Sequence, residues 1–178
     1  MNFLDLRTII FSFILTDIVS TLVIIMLWHQ SRNRFSGTYL WLFSFTIQTI
    51  SLILIALRGH IPMWLSIVVS NTLVIASIQL GYIALERFFG KKSSQTHNYI
   101  LLVVFTIVQL YFTFVQYDLS VRKLCLSIAM LILCLQCTWL LFYRVPRSMN
   151  QLSLFPALVF IAYSLVNVLR IIDFFVRE

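Results

Sequence analysis

The chain has 178 residues, of which 61% are hydrophobic and only 11% are charged, and its mean hydropathy is +0.97. Such a composition leaves too little polar surface for a soluble globular protein of this size. The net charge of +7 is the difference between 13 Lys and Arg residues and six Asp and Glu residues. The basic residues are scattered over several loops, without the basic face or reading motif of a nucleic-acid-binding protein. We therefore expect the chain to lie in a lipid bilayer and not to bind nucleic acid.

Six apolar stretches, separated by short polar loops, occupy most of the chain. They cover residues 9–28, 38–57, 63–85, 99–115, 124–142 and 152–169. A membrane-spanning helix needs roughly 20 mostly apolar residues, and these runs lack the alternation of barrel strands. The sequence predicts an all-α, polytopic helical bundle of about six transmembrane helices, forming a single integral-membrane domain over residues 1–178.

The first stretch carries an ionisable residue, Asp17, near its middle. Placing a charge at the centre of a bilayer costs at least ~2.5 to 3.5 kcal/mol on insertion scales. We therefore expect Asp17 to face the bundle interior or a wet cavity, paired with a donor such as Asn71 or Gln79. Two interpretations stay open, namely a proton-sensitive or ligand-contacting group and a structural hydrogen bond between helices.

The second and third stretches meet at a tight turn. Arg58 ends the second stretch, where an arginine near the headgroups normally snorkels and binds phosphate, and Gly59 and Pro62 are typical of a turn before a new helix. Asn71 and Gln79, eight residues apart, share one face of the third helix, and Glu86 falls near the same line. This face is expected to look inward, with its amides serving either in helix packing or in sensing.

The later stretches suggest neither a metal nor a cofactor. All three cysteines (Cys125, Cys134 and Cys137) fall in the fifth stretch, where small buried apolar side chains are the usual interpretation. Pro156 is expected to kink or restart the sixth helix. Residues 170–178 are expected either to lie outside that helix or to prolong it, which would pair Arg170 with Asp173 on one face.

Basic residues near the helix ends indicate an orientation. Arg32 and Arg34 outweigh Arg7 around the first helix, and residues 87–92 form the densest basic run. Because basic loops tend to stay in the cytoplasm, we predict an outside N-terminus and a cytoplasmic first loop. Six spans would then place Glu178 on the outer side.

The chain lacks a G-x-S-x-G or H-E-x-x-H signature and a phosphate-cradling loop, and it contains only four glycines. We therefore predict that it is not an enzyme.

A set of short motifs occurs in order along its first half. They are Trp28 with Arg32, Trp41, Leu57-Arg58-Gly59 with Pro62, Leu65-Ser66-Ile67, Asn71, and Arg87-Phe88-Phe89-Gly90.

With these motifs, the chain resembles the N-terminal membrane region of bacterial GGDEF diguanylate cyclases. The resemblance implies a sensory input module of the bacterial inner membrane, which passes a signal to a cytoplasmic GGDEF domain that makes cyclic di-GMP. The catalytic domain itself is missing from this sequence. The resemblance therefore implies one of two partners, either a second copy of the chain in a homodimer or a cytoplasmic GGDEF-type output domain. The alternative is a small permease or lipid-handling membrane protein. The candidate sensing residues are Asp17, Arg58, Asn71, Gln79 and Arg170.

Overall fold

The computed structural model of the protein describes residues 6–31, 37–145 and 150–177. The structure is 87% helical and contains no strand in those ranges. In chain order the elements are α1 (Leu6–Ser31), α2 (Thr38–Ala56), a π-helical stretch (Leu65–Val69) that continues as α3 (Ser70–Phe88), α4 (Thr96–Phe114), α5 (Leu119–Trp139) with a π-helical end (Leu140–Arg144), and α6 (Asn150–Arg177). This confirms the predicted all-α helical bundle of six helices.

Five of the helices are long and apolar enough to cross a membrane. They give candidate spans over Tyr39–Ala56, Leu65–Phe88, Thr96–Phe114, Leu119–Arg144 and Ser153–Val176. In α1 the described apolar part is the shorter Phe11–Met26, so a sixth span stays a prediction. Arg32 and Arg34, which support the predicted orientation, lie outside the described residues, as does Glu178, which that orientation places on the outer side.

Large apolar side chains cover the surfaces of these helices. Phe155 and Leu169 are 78% and 64% exposed, and Trp139 stacks on Tyr143 with both rings largely open to the surroundings. A soluble monomer rarely exposes contiguous apolar surface on this scale. Lipid tails would cover it, and tryptophan and tyrosine are enriched where such helices reach the headgroups.

Local signals fix the helix ends that position the polar groups. Gly59 adopts φ +98° in the turn after α2, as the sequence predicted. Gly90, at φ +68°, ends α3: its N–H donates to Arg87 O at 3.0 Å, and the N–H of Lys91 donates to Glu86 O at 2.8 Å. This pair of bonds forms a Schellman motif, so the chain turns sharply just after Glu86.

The chain divides into two compact units, Met1–Ala84 and Leu85–Glu178. In the first unit, α1 packs on α2, and α2 contacts the π-helical stretch. In the second, α5 packs against both α4 and α6. The predicted single membrane domain over residues 1–178 stays a prediction.

Candidate functional site

Asp17 makes a hydrogen bond between two helices. The hydroxyl of Thr49 in α2 lies 2.6 Å from Asp17 Oδ2 and 3.0 Å from the carbonyl of Phe45 in its own helix. Both Asp17 and Thr49 are half-buried. This contact ties α1 to α2 at the one acidic residue of the apolar stretch Phe11–Met26.

The expected partners of Asp17 were wrong. Neither Asn71 nor Gln79 donates a hydrogen bond to it among the described residues. Gln79 is buried, with 3% of its surface exposed, and its Nε2 atom has no partner in the described part of the chain, whereas Asn71 is half-buried. Arg58 is exposed beside the turn after α2. The structure therefore does not join Asp17, Asn71 and Gln79 in one hydrogen-bonded cluster.

Serine side chains bring α2 and α3 together. Ser44 donates to the carbonyl of Ser77 at 2.6 Å, and Ser51 donates to the carbonyl of Ser70 at 2.8 Å. The hydroxyl of Ser77 is also hydrogen-bonded to the Gln48 side chain. Small residues allow such close approach of helices in membranes, and their hydroxyls supply the interhelical bonds. We call the contact made by Ser44, Gln48 and Ser51 with Ser70 and Ser77 the serine seam.

Glu86 lies at the centre of a second polar cluster, near the end of α3. Its side chain is 2% exposed, and it accepts hydrogen bonds from Ser93 and from Gln95 Nε2, the latter at 2.6 Å. Arg144, at the π-helical end of α5, places Nη1 3.6 Å from Glu86 Oε1. Asn98 in α4 donates to Gln95 Oε1 at 2.8 Å. We call these five residues the Glu86 cluster.

Arg122 is a buried cation in the first turn of α5. Only 4% of its surface is exposed, its Nη1 lies 3.4 Å from Thr113 Oγ1, and its guanidinium lies 4.8 Å from the centre of the Tyr117 ring. Gln109 in α4 donates to the Arg122 carbonyl at 3.1 Å. The Arg122 Nε and Nη2 atoms have no hydrogen-bond partner in the described part of the chain. Hydropathy alone placed Arg122 outside the fifth helix, which is why sequence reasoning missed this contact.

Arg170 lies in α6 near its C-terminal end. Its side chain is exposed and lines a pocket of about 460 Å³ together with residues of α5. None of the other predicted site residues (Asp17, Arg58, Asn71 and Gln79) lines this pocket. Elsewhere the three cysteines are free thiols, and two of them, Cys134 and Cys137, are buried. Among the described residues, no group of three or more His, Cys, Asp or Glu side chains has the arrangement of a metal site.

Known proteins do not identify the chain. Comparison with protein-family models, with curated proteins and with solved structures finds no match. The resemblance to the membrane region of diguanylate cyclases is therefore still a prediction, and the functional argument depends on the polar groups within the helices.

Proposed function

We propose that the chain is a membrane-embedded signalling module of the bacterial inner membrane, similar in role to the input region of GGDEF diguanylate cyclases and without catalysis of its own. The observation that carries this proposal is the hydrogen bond between Asp17 and Thr49, which joins α1 to α2 at 2.6 Å. An ionisable residue among apolar helical residues is costly to place in a membrane and usually marks a functional position.

The proposed mechanism uses the modest strength of such a bond. Hydrogen bonds between membrane helices contribute on the order of 0.6 kcal/mol each. A ligand or a change in the bilayer that competes for the Asp17 carboxylate can therefore shift the packing of α1 on α2. In our proposal this shift reaches the output through a tilt of the C-terminal helix or a change in dimerisation, and a cytoplasmic GGDEF-type domain responds.

One observation favours the alternative of a lipid-handling protein. The pocket between α5 and α6 is lined by Lys123 and Arg170 as well as by serine hydroxyls. Cations at the end of a membrane helix attract lipid phosphate groups. A lipid-handling protein would need such a pocket, but it would not need the hydrogen bond between Asp17 and Thr49 to control a signalling output.

The proposal can be tested by joining the full chain to a GGDEF catalytic domain. Two fusions, one direct and one through an added transmembrane helix, ensure that one of them delivers the domain to the cytoplasm. Thr49→Val and Asp17→Asn are each introduced, and cyclic di-GMP is measured in cells. Thr49→Val loses a bond of about 0.6 kcal/mol, which changes a two-state equilibrium about threefold, so we expect it to change the cyclic di-GMP level about threefold. Asp17→Asn keeps an oxygen that can accept from Thr49, so it tests the ionisable group itself, and its cyclic di-GMP level should also differ from that of the wild type.

Thr46→Val is the matched control for Thr49→Val. Thr46 lies one turn earlier in α2 and is exposed. Within the described part of the chain it donates only to the carbonyl of Leu42 in its own helix, at 2.8 Å. This variant should keep the wild-type output. If Asp17→Asn and Thr49→Val both gave the same cyclic di-GMP level as the Thr46→Val control, the proposed polar switch would have no role.

A further inference from the structure

The pocket of about 460 Å³ lies between the first turns of α5 and the last turns of α6. Both helices belong to the unit Leu85–Glu178 and pack against each other. The residues that line the pocket are Ser120, Lys123, Leu124, Leu126 and Ser127 from α5, and Arg170, Asp173 and Phe174 from α6. Ser120, Lys123 and Ser127 recur at the spacing of one helix face, as do Arg170 and Asp173. The pocket is thus built from two adjoining polar faces.

The lengths of the two helices put this pocket at the level of the lipid headgroups. The candidate spans of 26 and 24 residues correspond to about 39 and 36 Å at ~1.5 Å per residue. The hydrocarbon core of a bilayer is only about 30 Å thick, so the helix ends extend beyond it. Tyr117 and Phe175, which flank this end of the helices, are largely exposed, as aromatic residues at a membrane interface are.

The charges at the pocket select one kind of ligand. Lys123 and Arg170 each contribute one positive charge and Asp173 one negative charge, so the lining has a net charge of +1. Ser120 supplies an exposed hydroxyl, and Ser127 lies deeper, with 4% of its surface exposed. Arginine, lysine and hydroxyl groups all donate to phosphate oxygens. The net charge of +1 complements a phosphate diester, which carries a single negative charge, better than a dianionic monoester.

We propose that this pocket binds the phosphate diester of a glycerophospholipid headgroup. Lys123 and Arg170 contact the phosphate oxygens, the serine hydroxyls complete the contacts, and the acyl chains run along the exposed apolar faces of α5 and α6. Lipid binding here does not require a signalling role, so the loss of one would leave the other standing.

The test is native mass spectrometry of the full-length chain in detergent, titrated with phosphatidylglycerol. Diacylglycerol with the same acyl chains but no phosphate is the comparison ligand. One Lys or Arg near a membrane surface contributes about fivefold to binding of an anionic lipid. We therefore expect affinity for phosphatidylglycerol to fall about fivefold in Lys123→Gln and in Arg170→Gln, and about 25-fold in the double variant.

A second double variant controls for the loss of charge. Lys91→Gln with Lys92→Gln removes two exposed cations that do not line the pocket, and it should bind the lipid as the wild type does. Lys123→Arg and Arg170→Lys keep the charge and should retain binding within about twofold. Circular dichroism and size-exclusion chromatography confirm that each variant is folded.

Three results would overturn the proposal. Equal loss of binding in both double variants would mean that only overall charge attracts the lipid. Equal binding of diacylglycerol would mean that the acyl chains, and not the phosphate, are recognised. Displacement of the lipid by inorganic phosphate at the same concentration as by a short-chain phosphatidylglycerol would assign the pocket to free phosphate instead.

Discussion

The buried carboxylate of Glu86 depends on donors from separate segments, and these donors are not equivalent. Ser93 and Gln95 bond to it from the loop after α3, whereas Arg144 is 45% exposed and lies 3.6 Å away. Ion pairs with an exposed partner contribute only about 0 to 1 kcal/mol. Loss of a hydrogen-bond donor to a buried charge costs more, about 1 to 3 kcal/mol. The loop residues should therefore stabilise Glu86 more than Arg144 does.

We predict that Ser93→Ala lowers the free energy of unfolding by about 1 kcal/mol or more. Ser94→Ala is the matched control, because the neighbouring Ser94 is exposed and, among the residues that the structure describes, its side chain shares a hydrogen bond only with Thr96. It should change the free energy of unfolding by less than about 0.5 kcal/mol. Denaturant unfolding of the purified chain in detergent, followed by circular dichroism, measures both. Equal stabilities for the two variants would show that Ser93 contributes nothing to holding Glu86.

For single residues, the sequence predicted which polar position forms a hydrogen bond between helices better than it predicted the partner in that bond. The position of Asp17 within an apolar helix was enough to expect an interhelical bond. Its donor, Thr49, could not be singled out, because threonine is neutral in hydropathy and its side chain can bond to its own helix, as Thr46 does. The choice depends on how α1 and α2 are rotated about their axes, which no single stretch of sequence encodes.

Hydropathy predicts that a helix is present better than it predicts where the helix begins. The fifth stretch was predicted to begin at residue 124, but α5 begins at Leu119. Asp118 caps it by accepting from the N–H groups of Ser120 and Val121 at 2.8 and 3.2 Å. Arg122 and Lys123 lower the local hydropathy without interrupting the helix. The side-chain cap by Asp118, and not the apolar run, sets this boundary.

The structure decides between two pairs of alternatives that the sequence left open for the sixth helix. The helix runs continuously through Pro156, so it does not restart there, and it extends to Arg177 instead of ending at residue 169. Proline removes one backbone donor, but neighbouring groups in membrane proteins can satisfy the freed carbonyl. The extension confirms that residues 170–177 prolong the helix, and it carries Arg170 and Asp173 to the pocket.

Between elements, the serine seam sets how closely α2 and α3 approach. A Cβ atom added at Gly81 would lie 3.3 Å from Ser44 Oγ, and that hydroxyl is held by its 2.6 Å bond to the Ser77 carbonyl. Alanine stabilises a helix by up to about 1 kcal/mol relative to glycine, so two effects oppose each other. We predict that the close contact dominates while Ser44 is present.

Gly81→Ala should therefore lower the free energy of unfolding in the wild-type chain and raise it in a Ser44→Ala background. The four proteins form a double-mutant cycle, for which we expect a coupling energy of about 1 kcal/mol between the two positions. Unfolding in detergent supplies the four free energies. Additive effects of the two substitutions would mean that Gly81 does not limit the approach of α2.

For the whole molecule, the number of membrane crossings determines which loops and which helix ends share a side of the membrane. The basic run at residues 87–92 predicts that the loop between α3 and α4 is cytoplasmic. Because α4, α5 and α6 each reach spanning length, the turn at Gln116 and the end of α6 should both face outward. The side of the N-terminus then depends on whether α1 crosses as well.

Single cysteines in the full chain can decide this. In a background with Cys125, Cys134 and Cys137 replaced by alanine, Lys92→Cys, Gln116→Cys and Val176→Cys are exposed positions that a membrane-impermeant maleimide can reach. We predict labelling of Gln116→Cys and Val176→Cys on intact cells, and of Lys92→Cys only after lysis. Asn2→Cys is the deciding position, because six crossings place it outside with Gln116, whereas five place it with Lys92. Labelling of Asn2→Cys only after lysis would mean that α1 does not cross. That result would be incompatible with a contact between Asp17 and Thr49, which lies near the middle of the candidate span Tyr39–Ala56, and it would overturn the proposed Asp17 switch.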